Sequence, residues 1–167
     1  DNAEVLQMLG ERAYDIGIVD TQIGDYMKIA ISAFEKVLTL IDKDKQHSEY
    51  IKAENYLGQS YWSLSKVQDT LVNCAKSIEY FNEILKTISI ETHPVEYAKI
   101  KNWIGNSYTA FAEVESREEN CLIAINAYNE ALKVFGKRAY PLEYARAHNN
   151  LGGAYLILAE VKDKTAN

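Results

Sequence analysis

The segment Glu96 to Pro141, EYAKIKNWIGNSYTAFAEVESREENCLIAINAYNEALKVFGKRAYP, falls onto its upstream neighbour when it is moved back by 47 residues. Sixteen identities then align without a gap, among them Glu49/Glu96, Tyr50/Tyr97, Lys52/Lys99, Asn55/Asn102, Gly58/Gly105, Tyr61/Tyr108, Asn73/Asn120, Cys74/Cys121 and Pro94/Pro141. The same step forward brings Glu143, Tyr144, Asn149, Gly152 and Tyr155 into register. A fixed period of this length marks stacked copies of one supersecondary unit, each too small to bury its own apolar face. The copies occupy about residues 1–47, 48–94 and 95–141, with a half copy at 142–167, and together they read as one repeat domain over 1–167.

Periodicity inside each copy is helical. With only 2 prolines and 8 glycines in 167 residues, long helices meet few interruptions. A first helix from Asn2 to about Val19 carries Val5, Leu6, Leu9, Ala13 and Ile16 on one face. A second, from about Tyr26 to Ile41, is striped by Ile31, Phe34, Val37, Leu38 and Ile41. The polar run from Asp42 to His47 links copies. A third helix spans about Glu49 to Lys66, and a fourth, capped by Asp69, ends near Ser89. Pro94 suits the first turn of a fifth helix, where a missing N–H costs nothing. Its buried face runs through Tyr97, Ile100, Ile104, Tyr108, Phe111 and Val114. Ser116 with Glu119 reads as a capping box for a sixth helix, which buries Leu122, Ile125, Tyr128, Leu132 and Phe135. Gly136 is placed as its left-handed stop. Pro141 opens a seventh helix to about Val161, and Asp163 stands ready to cap another. The expectation is an all-α chain of about seven antiparallel helices.

The spacing Ile104-Gly105-x-x-Tyr108, followed by Ala124-x-x-x-Tyr128-x-x-Ala131, resembles the tetratricopeptide repeat. Ala30/Phe34/Val37 and Ser77/Phe81/Ile84 echo its second half, so the resemblance covers essentially the whole chain. The copies are longer than the family's usual unit of about 34 residues. His93-Pro94 and Asn149-Asn150-Leu151-Gly152 are similar to the longer repeats of kinesin light chains. The resemblance implies an α-α superhelix, a solenoid in which the first helix of each hairpin lines a concave groove. Carried onto this sequence, the groove residues are Lys52, Asn55, Gln59 and Trp62, then Lys99, Asn102, Asn106 and Thr109, then Arg146, Asn149, Gly153 and Leu156. These steps of three and four make one stripe per helix. Each stripe holds one cation and at least one asparagine but no carboxylate, in a chain of net charge −6.

Other chemistry finds little support. His47, His93 and His148 occupy unrelated places in the repeat, and no metalloprotease, phosphate-loop, dinucleotide or nucleophile-elbow motif occurs. Gly152-Gly153 falls inside a helix rather than in a phosphate loop. Glu113, Glu115, Glu118 and Glu119 read as a solvated, helix-capping charge cluster. Cys74 and Cys121 sit at equivalent positions and are expected to be unlinked, buried thiols, which suits a reducing, cytoplasmic setting. An acidic chain has no electrostatic reason to bind nucleic acid or an anionic membrane, and no apolar run is long enough to span one. The start at Asp1 reads as that of a mature or excised fragment.

These features point to a non-catalytic module without metal or cofactor, binding an extended peptide or partner protein in its groove. The cations suit an acidic or carboxylate-ended ligand, and the asparagines suit its backbone. The competing reading is a self-association or sensor segment of a larger protein. In it, the C-terminal helix pairs between two copies through Leu151, Tyr155 and Leu158, with Leu156 and Ile157 toward the groove.

Overall fold

Helical periodicity becomes helices throughout. A computed structural model describes the backbone of residues 2–165 and the side chains of residues 2–161. Seven helices follow one another: α1 (Asn2–Gly17), α2 (Ile23–Leu40), α3 (His47–Ser65), α4 (Thr70–Ile84), α5 (Pro94–Val114), α6 (Arg117–Leu132) and α7 (Pro141–Thr165). No strand occurs among the described residues. The chain divides into two compact units, residues 1–84 and 85–167. In the first, α1 pairs with α2 and α3 with α4, while α2 packs on α3. In the second, α5 pairs with α6, and α6 packs on α7.

One contact recurs in all three hairpins. Gly10, Gly58 and Gly105 let the second helix press an aromatic ring onto the backbone of the first. A Cβ added at these glycines would stand 2.7 Å from Phe34, 2.7 Å from Phe81 and 2.5 Å from Tyr128 respectively. Real Cβ atoms do not approach that closely, so these helix pairs depend on glycine. The rings themselves are 0–1% exposed. Cys74 and Cys121 lie buried in α4 and α6 as free thiols, small apolar fillers that follow the repeat.

The tight crossing also explains where the apolar reading of α1 fails. Its buried residues are Ala3, Gly10, Ala13, Tyr14 and Gly17, because α2 seats on the small-residue face. Val5, Leu9 and Ile16 are 64%, 49% and 44% exposed. Likewise Leu122 of α6 and Val114 of α5 face outward, whereas Ile100, Ile104, Ile125, Tyr128 and Phe135 are buried as their spacing requires. Packing on a glycine track buries the small residues and leaves some of the larger ones outside.

The hairpin turns are built differently from the expected capping boxes. Asp69 and Ser116 adopt left-handed conformations, with φ of 43° and 46°, and Ser116 makes no side-chain cap. The Asp69 carboxylate instead accepts from Gln68 Nε2 at 3.1 Å. The repeated asparagine closes each turn: Asn73 Nδ2 donates to the Gln68 carbonyl at 2.6 Å, and Asn120 Nδ2 to the Glu115 carbonyl at 2.9 Å. No glycine among the described residues has a positive φ, so Gly136 is not a left-handed stop. α4 ends at Ile84 rather than near Ser89, and α7 continues to Thr165, past the expected end at Val161. The backbone of Asp163 therefore lies within α7, and a cap by its side chain lies outside the described side chains.

Candidate binding site on α5 and α7

Within the second unit, α5 and α7 border a cavity of about 370 Å³ lined by Lys99, Asn102, Trp103, Asn106, Phe135, Glu143, Arg146 and Asn150. Four of the twelve expected groove residues (Lys99, Asn102, Asn106 and Arg146) therefore meet in one place. Asn149 is exposed and lines no part of it; the neighbouring Asn150 does. The reason is geometric. Residues one repeat apart lie on the same side of their helices, but a gap between two helices is walled by opposing sides. α7 accordingly contributes Glu143, Arg146 and Asn150, three residues out of step with Lys99, Asn102 and Asn106 on α5. That offset is a rotation of about 60° around the helix axis.

The floor of the cavity is a polar network anchored on the glycine crossing. Tyr128 Oη donates to Asn106 Oδ1 at 2.9 Å, and Asn150 Nδ2 donates to the same oxygen at 2.9 Å. Thr109 Oγ1 lies 3.1 Å from Tyr128 Oη and bonds the Gly105 carbonyl at 2.9 Å. Burial pushes the Tyr128 phenol well above its usual range, against the opposing pull of Thr109. The hydroxyl thus keeps its proton and stays a donor, which holds Asn106 in place.

Two features of the walls remain unanswered among the described residues. The Asn102 side-chain oxygen is shielded from solvent and has no hydrogen-bond partner. Lys99 and Arg146 form no ion pair among the described residues. Glu143 adds the one carboxylate of the lining, a residue the repeat-based stripe did not include. Trp103 and Phe135 supply apolar lining; Phe135 was expected as a buried core residue, and no spacing in the sequence separates that role from this one.

The expected groove residues of the first unit are engaged differently. Lys52 Nζ pairs with Glu11 at 2.7 Å, and Gln59 Oε1 accepts from Tyr14 Oη at 2.9 Å. The Trp62 ring lies under Lys66, 3.5 Å from ammonium to centroid. Asn55 is half-buried on α3. Here α1 answers the polar side chains of α3, so the cation of this copy is neutralised while Lys99 and Arg146 are not.

No group of three or more His, Cys, Asp or Glu among the described residues could hold a metal ion. No described helix is long and apolar enough to cross a membrane. In comparisons with known proteins, no family model, no curated protein and no solved structure matches the chain.

Proposed function

We propose that the chain is a non-catalytic interaction module of tetratricopeptide type, which binds an extended, acidic or carboxylate-ended peptide along α5 and α7. The observation that carries this reading is the pairing of two cations lacking partners, Lys99 and Arg146, with the unmet oxygen of Asn102 in one cavity. An extended peptide offers the matching groups: carboxylates for the cations and backbone N–H groups for an amide oxygen. Three shielded glycine crossings, at Gly10, Gly58 and Gly105, support the family reading, because they give the repeated glycine and aromatic a common physical purpose. Two buried, unlinked thiols suit a cytoplasmic protein.

The test is fluorescence anisotropy with labelled extended peptides that differ only in charge. Acidic peptides should bind the protein more tightly than neutral ones, with an affinity that falls as salt rises, since an open cavity is screened. Lys99→Glu and Arg146→Glu should each weaken the acidic peptide selectively. Equal affinity for acidic and neutral peptides in the parent and both variants would overturn the reading.

A further inference from the structure

α7 turns different sides to different neighbours. Leu151 and Leu158 pack inward on Cys121, Ala124 and Tyr128, so they are not available to pair two copies of the chain. The Gly152 side is open, and a Cβ there would meet nothing within 4 Å. A third side faces α5, and one hydrogen bond fixes its register. Asn150 Nδ2 reaches Asn106 Oδ1 at 2.9 Å, between residues 44 apart. The other polar residues of the cavity keep that offset: Arg146 stands across from Asn102, and Glu143 across from Lys99. Each step is three or four residues, about 4.5–6 Å along the helices. The cavity is thus a short ladder, with one rung closed by the asparagines and two rungs open.

The rung of Lys99 and Glu143 stays open although its charges are opposite. Glu143 is half-buried and forms no ion pair among the described residues. It also stands three residues before Arg146, a spacing at which Asp42, Glu79 and Glu130 do pair with Lys45, Lys76 and Lys133. Its counterparts Glu49 and Glu96 share its place in the first turn of a helix, where a carboxylate suits the helix dipole. Both of those are exposed and line no part of the cavity. The dipole accounts for a carboxylate at all three positions, but not for one that faces an ammonium across a gap.

Resting on the reading of this cavity as a peptide site, we propose that Glu143 selects the ligand: the peptide carries a basic side chain next to an acidic one, and is not uniformly acidic. In an extended strand successive side chains point to opposite sides, so neighbouring residues reach opposite walls. An acidic side chain turned to Lys99 on α5 sets the next side chain against Glu143 on α7. A basic group there completes both ion pairs. A second carboxylate in that place meets Glu143 as a like charge, so the same residue rejects polyacidic segments. The lining holds two cations and one carboxylate, so the matching segment keeps a net negative charge with a single cation inside it.

The experiment is fluorescence anisotropy with three labelled peptides of equal length and net negative charge. They differ at one position, directly after an acidic residue, which holds lysine, glutamine or glutamate. The parent protein should bind the lysine peptide most tightly and the glutamate peptide least, each step about threefold to fivefold, the size of a partly exposed ion pair. Glu143→Gln should abolish the preference for lysine. Glu143→Lys should invert it, so that the glutamate peptide binds most tightly. Loss of the first-turn carboxylate as a purely structural residue would weaken all three peptides alike and leave their order unchanged, so the order is the readout. Where Glu143→Lys fails to fold, the nearly isosteric Glu143→Gln still reports. A parent protein that binds the glutamate peptide as tightly as the lysine peptide overturns the inference, as does an order that the Glu143 variants preserve. If Lys99→Glu then still weakens all three peptides, the cavity remains the peptide site and only the role of Glu143 falls. If Lys99→Glu changes nothing, the reading of the cavity falls with it.

Discussion

Tyr128 is held at both ends by α5: its ring lies against Gly105, and its hydroxyl donates to Asn106 Oδ1 at 2.9 Å. One side chain thereby couples the closest helix crossing of the second unit to the floor of the candidate binding cavity. Tyr128→Phe removes the donor and leaves Asn106 with Asn150 alone, which should cost about 1–2 kcal/mol. Gly105→Ala places a methyl group in the ring and should cost about 1–3 kcal/mol. Gly152→Ala, at the equivalent and empty position, should instead stabilise the protein by about 0.5–1 kcal/mol. Thermal melts of the three variants check this; equal effects for the two glycines would remove the crossing from the account.

The hairpin turns give a second test. Ser116 sits at φ 46° without capping α6, a conformation that costs a non-glycine residue about 1–2 kcal/mol. Ser116→Gly should therefore raise stability, and Ser116→Ala should change it little, the reverse of what a side-chain cap predicts. Asn73 is 6% exposed and donates to the Gln68 carbonyl, so Asn73→Ala should cost about 1–3 kcal/mol. Denaturant titrations of the three variants distinguish the two turn designs.

These turns show where sequence reading succeeds and where it stops. The repeat exposes helix number, hairpin pairing and the glycine–aromatic contacts, because each copy solves the same packing problem with the same residues. Ser116 and Glu119 match a capping pattern, but Ser116 takes a left-handed conformation without a side-chain cap, and Asn120 closes the turn by donating to the Glu115 carbonyl. The cavity was half legible for a related reason. Lys99 and Arg146 are visible as a repeated cation, yet Glu143 and Asn150 enter only because α7 presents a different side to α5. That rotation is a property of two helices together, and no single stripe contains it.

Alkaline unfolding should carry a tyrosine signature. Burial raises the Tyr14 phenol to about 12, helped by the neighbouring Tyr56 and Asp15 and opposed by Ser63. An unfolded tyrosine titrates near 10. The folded state therefore binds this proton more tightly, so the stabilisation is complete below about pH 10 and is lost as pH rises through about 12. A shift of this size corresponds to about 2–3 kcal/mol. Stability measured by urea titration from pH 9 to 12 (about the range of this titration) should fall with pH, and Tyr14→Phe should flatten the decline. An identical slope in the variant would assign the loss to other groups.

Asn102 and Asn106 lie on the same stripe of α5 and line the same cavity, yet they should respond oppositely to the same change. Asn106 Oδ1 accepts two hydrogen bonds inside the protein. Asn106→Ala strands the Asn150 amide and leaves the Tyr128 hydroxyl with Thr109 alone, and should cost about 1–3 kcal/mol. Asn102 Oδ1 is shielded and unanswered, so the free protein carries the desolvation cost of that oxygen without a bond in return. Asn102→Ala should leave stability unchanged or slightly raise it, while removing an acceptor for a peptide N–H. Melting temperature and peptide affinity are to be measured on both variants. The pattern expected is an Asn102→Ala protein of parental stability that binds acidic peptide more weakly, on the order of tenfold. A variant of parental stability and parental affinity would show that the unanswered oxygen serves no ligand.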